Sequence, residues 1–269
     1  MHEKIKELLL GKKPCAIGKI GSIELQHFGR TYGGCEEIVL GGGLAINAGI
    51  NCKDSAEYLQ WYQLYYFGLS KLDAILTWSS GKMKEVEQDI LENICSNALE
   101  VKNFPDIEPF EHEKNGWHYG LGEKKILIVT SFKNSIESQI PNYSKIWKGA
   151  KLGSCEIVEC PQPFQITGES ETYFSENMRK LIEDIKSKDF DIAIIGAGGY
   201  SIPLCGFVKK MGKSAIHLGG ATQILFGIRG NRFDRNFADK HWYGTEHFIR
   251  PLESDVPKYK HLVEESCYW

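Results

Sequence analysis

The sequence predicts an α/β fold, a mostly parallel sheet flanked by helices. Three observations carry this. Short apolar runs such as "KILIVTSF" (125–132) and "DIAIIGAG" (191–198) read as buried strands. Amphipathic stretches of helical period alternate with them, as in βαβ units. Two of the strands, 15–21 and 191–198, run through glycine into the start of a helix.

In chain order, "MHEKIKELLLGKKP" is a short helix closed by Gly11, with Lys12 and Lys13 in its last turn and Pro14 as a stop. "CAIGKIG" (15–21) is a strand, and a helix begins near Ser22. Residues 55–72 form a helix with Asp54 as N-cap, 73–78 a strand, and 82–99 an amphipathic helix. The polar, turn-rich stretch 103–124 is the best candidate for a linker or inserted loop within a single domain spanning 1–269. After the strand at 125–132 comes a helix that Pro141 interrupts, with Asn134 and Glu137 spaced as a capping box. Strand 155–160, helix 172–188 and strand 191–198 follow. The next helix carries Pro203 in its first turn and ends at Gly212. "SAIHLG" is the last strand, and the aromatic-rich, irregular C-terminal tail is expected to wrap the surface and close the fold or its site.

The bulk numbers narrow the function. A chain of 269 residues with 42% hydrophobic and 25% charged residues suits a globular protein with a sizeable core. A net charge of −3 argues against a nucleic-acid or anionic-membrane partner. No apolar run approaches the roughly 20 residues of a transmembrane segment, and the N-terminal leucines are flanked by charges, unlike a signal peptide. The eight cysteines contain no CxxC pair and no zinc-like Cys/His spacing. Reduced thiols in a cytoplasmic protein are the expectation.

The stretch from Asp191 begins like a dinucleotide-binding fingerprint. Gly196, Gly198 and Gly199 permit a tight turn, and the helix start behind them is an anion site. Two features argue against a nicotinamide dinucleotide. Ser201 stands at the third glycine position, and no Asp or Glu occurs between Asp191 and Asp234, where a ribose-binding acid is needed. His217 ends the following strand instead. A glycine turn that only packs helix on strand is the plainer alternative.

Two segments together, "CAIGKIGSIELQHF" (15–28) and "DIAIIGAGGYSIPLCGFVKKMGKSAIHLGGATQILFGIRGNRF" (191–233), resemble the GT-D type of glycosyltransferase and its relatives in polysaccharide gene sets. That family has an N-terminal R-[FI]-G-D-G-E motif and a late strand ending in A-I-D-I-G-H. "KIGSIE" (19–24) matches the first, with Glu24 in the place of its glutamate and Ser22 in the place of its aspartate. "AIHLGG" (215–220) matches the second, with His217 where the family has Asp. The resemblance implies a Rossmann-like fold and transfer of a sugar from a nucleotide-diphosphate donor, UDP-linked, to a glycan or other hydroxyl acceptor. It also implies a divalent metal, Mn or Mg, held in part by Glu24. Ser22 is a poor metal ligand and leaves metal dependence open.

Glu24 can therefore bind metal, hold donor hydroxyls or act as base; alone it would only favour a helix dipole. His217 is either an acid, base or donor to an oxygen, or a structural histidine. These are the catalytic candidates. Donor binding is assigned to Gly18, Lys19, Gly21 and Ser22 after the first strand, and to Gly196, Gly198, Gly199 and Tyr200 at the glycine turn. Gly219, Gly220 and Gln223, with Thr222 beside them, follow the last strand, and Ser131, Ser135 and Gln139 follow strand 125–132. Tyr58, Trp61, Tyr62, Tyr65 and Tyr66 lie at helical spacing and suit core or a dimer interface better than a sugar platform. Gly41, Gly42, Gly43 and Asn47 form a loop near the same edge. The alternatives to a transferase are a non-catalytic nucleotide- or glycan-binding protein and a nucleotide-dependent oxidoreductase. A membrane-bound acceptor would bring the chain to a membrane surface.

Overall fold

The computed structural model describes all residues except 36, 37, 39, 41 and 162–171, and the side chain of residue 113. Its centre is a seven-stranded sheet of order β3-β2-β1-β7-β6-β4-β5. The strands are β1 Ala16–Lys19, β2 Ala74–Leu76, β3 Leu99–Val101, β4 Ile126–Thr130, β5 Cys155–Glu159, β6 Ile192–Gly196 and β7 Ser214–His217. Every pairing is parallel, for example Ile128 opposite Ile194 and Ala193 opposite Ala215. A parallel sheet is covered on both faces, which is why its strands read as continuous apolar runs.

Alternate residues of each strand feed two cores. Ile192 and Ile194 join Ile126, Ile128, Ile17 and Ile216 on one face. Ala193 and Ile195 join Leu127, Val129 and Ile75 on the other. The second face carries α2 (Ser22–Tyr32), α3 (Gly42–Ile46), α4 (Ser55–Leu69), α5 (Lys82–Asn93), α9 (Phe174–Lys186) and α10 (Ser201–Lys210). The first carries α1 (His2–Leu10), α6 (Phe104–Ile107), α7 (Lys133–Gln139), α8 (Tyr143–Ile146), α11 (Ala221–Leu225), α12 (Asn231–Phe237) and the tail.

Local chemistry sets several boundaries. Asp54 caps α4, its Oδ1 accepting from the Glu57 N–H at 2.9 Å. Pro141 lies in a 3-10 turn, Ile140–Asn142, that separates α7 from α8. Tyr58, Trp61 and Tyr65 of α4 are core residues, whereas Tyr66 is exposed. All eight cysteines are free thiols. Among the described residues no helix is long and apolar enough to cross a membrane.

Three expectations change. The helix expected over 82–99 stops at Asn93, and Leu99–Val101 forms the edge strand β3, too short for its period to be read. Residues 103–124 fold as α6 and two 3-10 segments that put Phe110, Trp117 and Leu121 into the core of the first face. Asn134 and Glu137 make no capping box. Helix α7 begins at Lys133, and its start is capped across the chain by Asp255, which accepts from the backbone N–H of Asn134 at 3.3 Å and of Ser135 at 2.6 Å. A buried carboxylate from the tail satisfies those N–H groups where the local side chain does not.

Candidate functional site

Because all seven strands are parallel, their carboxyl ends share one edge. There β4 continues to β5 on one side and β6 continues to β7 on the other, so the connections diverge and leave a crevice. A cavity of about 690 Å³ fills it. Residues at or after the end of every strand line it: Lys19 and Gly21 to Glu24 at β1, Trp78 after β2, Phe104 and Glu108 after β3, Ser131 and Phe132 after β4, Cys160 after β5, Ala197, Gly198 and Tyr200 after β6, and Gly219 to Gln223 after β7. Arg232, Phe233, Glu264, Tyr268 and Trp269 of the C-terminal region complete the wall.

Helix α2 starts at the cavity with Gly21 as its N-cap and no side-chain cap. The first-turn N–H groups of Ser22, Ile23 and Glu24 have no intrahelical acceptor. Glu24 is 8% exposed and folds back over this start: a Cβ at Gly21 would lie 2.1 Å from its Oε2, so a side chain there would push the carboxylate away. Among the described residues no cation pairs with Glu24. Burial raises its pKa above the usual carboxylate value, and a hydrogen bond from its own backbone N–H offsets this in part.

The turn after β6 is held from below. Gly198 has φ +51° and its absent Cβ would meet the Ala48 carbonyl oxygen at 2.4 Å. The Gly199 N–H donates to that same oxygen at 2.8 Å, and the Ala197 N–H donates to Ser201 Oγ at 3.0 Å. Ser201, out of place in a dinucleotide fingerprint, thus stabilises the turn itself.

His217 is buried, and its Nδ1 donates to the Ile195 carbonyl at 3.3 Å, which leaves the lone pair on Nε2. Burial, reinforced by the Lys19 charge, pushes its pKa down to about 3. His217 is therefore a neutral hydrogen-bond acceptor. This departs from the expected acid, base or diphosphate donor: an imidazole so placed suits a ligand hydroxyl, and its lone pair would repel a phosphate oxygen.

Two cations reach the cavity. Lys19 pairs with Glu108 and lies over the Phe104 ring. Arg232 pairs with Glu264, stacks over Tyr268 at 4.9 Å and donates to its hydroxyl at 3.2 Å. Glu264, Glu265 and Ser266 are three consecutive non-glycine residues of positive φ, a conformation costing about 1–2 kcal/mol each. Hydrogen bonds from the Arg232 N–H to the Cys267 carbonyl, from Asn231 Nδ2 to the Ser266 carbonyl and from Gln223 Nε2 to the Tyr268 carbonyl hold the strained turn against the cavity. Three buried polar atoms of lining residues have no hydrogen-bond partner: Asn47 Oδ1, Thr222 Oγ1 and Gln223 Oε1.

The donor set does not match a protein-held divalent metal. Glu108 and Glu264 are engaged with Lys19 and Arg232, which leaves Glu24, and among the described residues no three His, Cys, Asp or Glu side chains gather as ligands. Ser22 offers only a hydroxyl.

Of the residues singled out in the sequence, Glu24, His217, Lys19, Gly21, Ser22, Ser131, Gly196, Gly198, Tyr200, Gly219, Gly220 and Gln223 come together around the cavity. The others do not line it. Gly18 faces Ile202 of α10 within the sheet packing, and Gly199 faces Ile50 while its carbonyl accepts from Trp61 Nε1. Ser135 Oγ accepts from the Leu252 N–H, and Gln139 Nε2 donates to the carbonyls of Gly227 and His247, so both join α7 to the C-terminal region. The expected glycine loop is in part helical: Gly42 and Gly43 open α3, Asn47 follows it and lines the cavity, and Gly41 lies outside the described residues. Sequence reasoning missed Trp78, Phe104, Glu108 and Arg232. Trp78 carried a usable signal, since it directly follows an apolar strand pattern; Arg232 carried none.

Comparison with protein-family models, with curated proteins and with solved structures finds no match for this chain.

Proposed function

We propose that the chain is a glycosyltransferase of the GT-D type that moves a sugar from a nucleotide-diphosphate donor to a glycan or other hydroxyl acceptor. One observation carries the reading. Three strand-to-helix turns, at Gly21–Glu24, Gly196–Gly198 and Gly219–Gly220, converge with Lys19 and Arg232 on one cavity whose unpaired carboxyl is Glu24. About 690 Å³ lies within the ~300–1,000 Å³ of small-molecule sites and admits a nucleotide sugar.

The donor diphosphate lies against the first turn of α2, where Ser22 and Ile23 N–H groups have no intrahelical acceptor, and against the Gly198 turn, where the α10 dipole favours anions. The acceptor hydroxyl oxygen attacks the anomeric carbon. Its proton passes to the Glu24 carboxylate, and the bond from the anomeric carbon to the diphosphate oxygen breaks with its electron pair leaving on the diphosphate. The raised pKa of Glu24 makes its ionised form a stronger base. Lys19 and Arg232 meet the charge that grows on the leaving group, released from Glu108 and Glu264 as the anion takes their place. His217 Nε2 accepts from a sugar hydroxyl. No step requires a metal held by the protein, and a metal carried in with the diphosphate is compatible with it.

A thermal-shift series against UDP, GDP, CDP, dTDP and NAD, each with and without manganese, tests the reading. One nucleoside diphosphate, UDP foremost, should stabilise by about 2.7 kcal/mol at 100-fold excess over its dissociation constant. A response to NAD alone, or to none, overturns it. The second reading is a nucleotide- or glycan-binding protein without turnover, favoured by the pairing of both cavity cations with carboxylates. Turnover lost in Glu24→Gln at retained nucleotide affinity separates the two.

A further inference from the structure

The cavity has a second chemical character at the β2–β3 end of the sheet, away from the glycine turns. Trp78 follows β2 and Phe104 follows β3. Both line the cavity, yet they are 40% and 38% exposed, which places them at its mouth. Their rings meet edge to face, centroids 5.7 Å apart at 65°, and form a corner, with Lys19 over the Phe104 ring.

An exposed tryptophan is usually free to move. This one is held at its backbone and its ring. The N–H groups of Trp78 and Ser79 both donate to Glu87 Oε2, at 3.0 and 2.9 Å, and Trp78 Nε1 donates to the Ile20 carbonyl at 2.9 Å. Glu87 is 2% exposed, so a carboxyl has been buried to fix this loop. Ile20 directly precedes Gly21, the N-cap of α2, which registers the ring against the start of that helix. Beside the corner, Lys19 supplies N–H donors and Glu108 carboxylate acceptors.

We propose that Trp78 and Phe104 form the acceptor subsite, a platform for a pyranose ring. The inference rests on the transferase reading and adds the class of acceptor and its place. A pyranose has an apolar C–H face for stacking and a rim of hydroxyls that can donate to the Glu108 carboxylate, freed when Lys19 turns to the diphosphate. A nucleobase, thin and flat, is better served by a parallel slot than by a 65° corner. Position argues the same way: a polymeric acceptor must enter from solvent and reach the cavity with one residue only, so its platform belongs at the mouth. The immobilised ring loses little freedom on binding.

Saturation-transfer NMR with three blocked monosaccharides, the methyl β-glycosides of glucose, galactose and N-acetylglucosamine, tests this in the wild type, Trp78→Ala, Trp78→Phe and Phe104→Ala. UDP binding is followed in the same four proteins by thermal shift. At least one glycoside should receive saturation on its ring C–H protons in the wild type. Trp78→Ala should weaken its binding about tenfold, Phe104→Ala less, and Trp78→Phe least. UDP affinity should stay constant throughout. Should Trp78→Ala fail to fold, the Phe104→Ala and Trp78→Phe proteins carry the same comparison. No saturation of any glycoside, or saturation equal in all folded variants, overturns the platform. Loss of UDP binding in Trp78→Ala or Phe104→Ala also overturns it, because the rings would then hold the base. Trp78-dependent glycoside binding without UDP binding in any protein keeps the platform and overturns the donor reading instead.

Discussion

His217 gives the sharpest quantitative expectation. Its pKa falls from 6.5 to about 3 because the ring is buried beside Lys19. The folded protein therefore binds fewer protons than the unfolded chain between these values, and stability rises with pH across that window. The contribution is complete above about pH 6.5 and is lost as pH falls toward the folded value. Over the whole interval a gap of about 3.5 at ~1.36 kcal/mol per pH step amounts to roughly 5 kcal/mol. Between pH 7 and pH 5 the same two values give a loss of about 2 kcal/mol. The perturbation is His217→Gln, which does not titrate and keeps an N–H to offer the Ile195 carbonyl. Urea unfolding of both proteins at pH 7, 6 and 5 measures the difference, and it cancels other titrating groups, including His118, also pushed down to about 3 by burial. The wild type should lose about 2 kcal/mol more than the variant between pH 7 and pH 5. Curves that stay parallel within ~0.5 kcal/mol would refute the reasoning and return His217 to the role of a titrating acid or base.

Glu24→Gln should lower turnover by about 100-fold or more with nucleotide affinity within a few-fold, read from initial rates and thermal shift. The same substitution should flatten a loss of stability at rising pH, because a carboxyl whose folded pKa is raised contributes most below its ordinary value and loses that contribution as pH climbs through the raised one. Gly198→Ala forces a left-handed alanine against the Ala48 carbonyl at 2.4 Å and should cost about 3 kcal/mol in urea unfolding, with weakened UDP binding. Asp255→Ala removes the acceptor of the Asn134 and Ser135 N–H groups and of Asn134 Nδ2, and should cost about 2 kcal/mol, with earlier proteolysis of the C-terminal segment.

Much of the architecture was legible because its signals are local. A fully buried parallel strand must be apolar on both faces, so "DIAIIG" announces itself, and the glycines after it mark where the chain turns beneath a helix. The parallel arrangement then sends every strand end to one edge, which is why Lys19, Glu24, Gly198 and Gln223, all near strand ends, meet around one cavity. Position after a strand fails as a guide once the chain enters a helix. Ser135 and Gln139 lie farther into α7 and face the C-terminal region, a direction set by the helix turn and by Asp255.

The sequence by itself determined the α/β class, the edge on which the site lies and the identity of the turn that carries it, since periodicity and glycine placement act over a few residues. Only the tertiary structure decided the chemistry of the wall. It buried Glu24 without a cation, made His217 a neutral acceptor, brought Arg232 and the strained turn at Glu264–Ser266 across the opening, and pinned Trp78 to Glu87. Protonation and pairing depend on what lies within a few ångströms in space, and the fold can bring such neighbours together from distant segments, as it does Lys19 and His217.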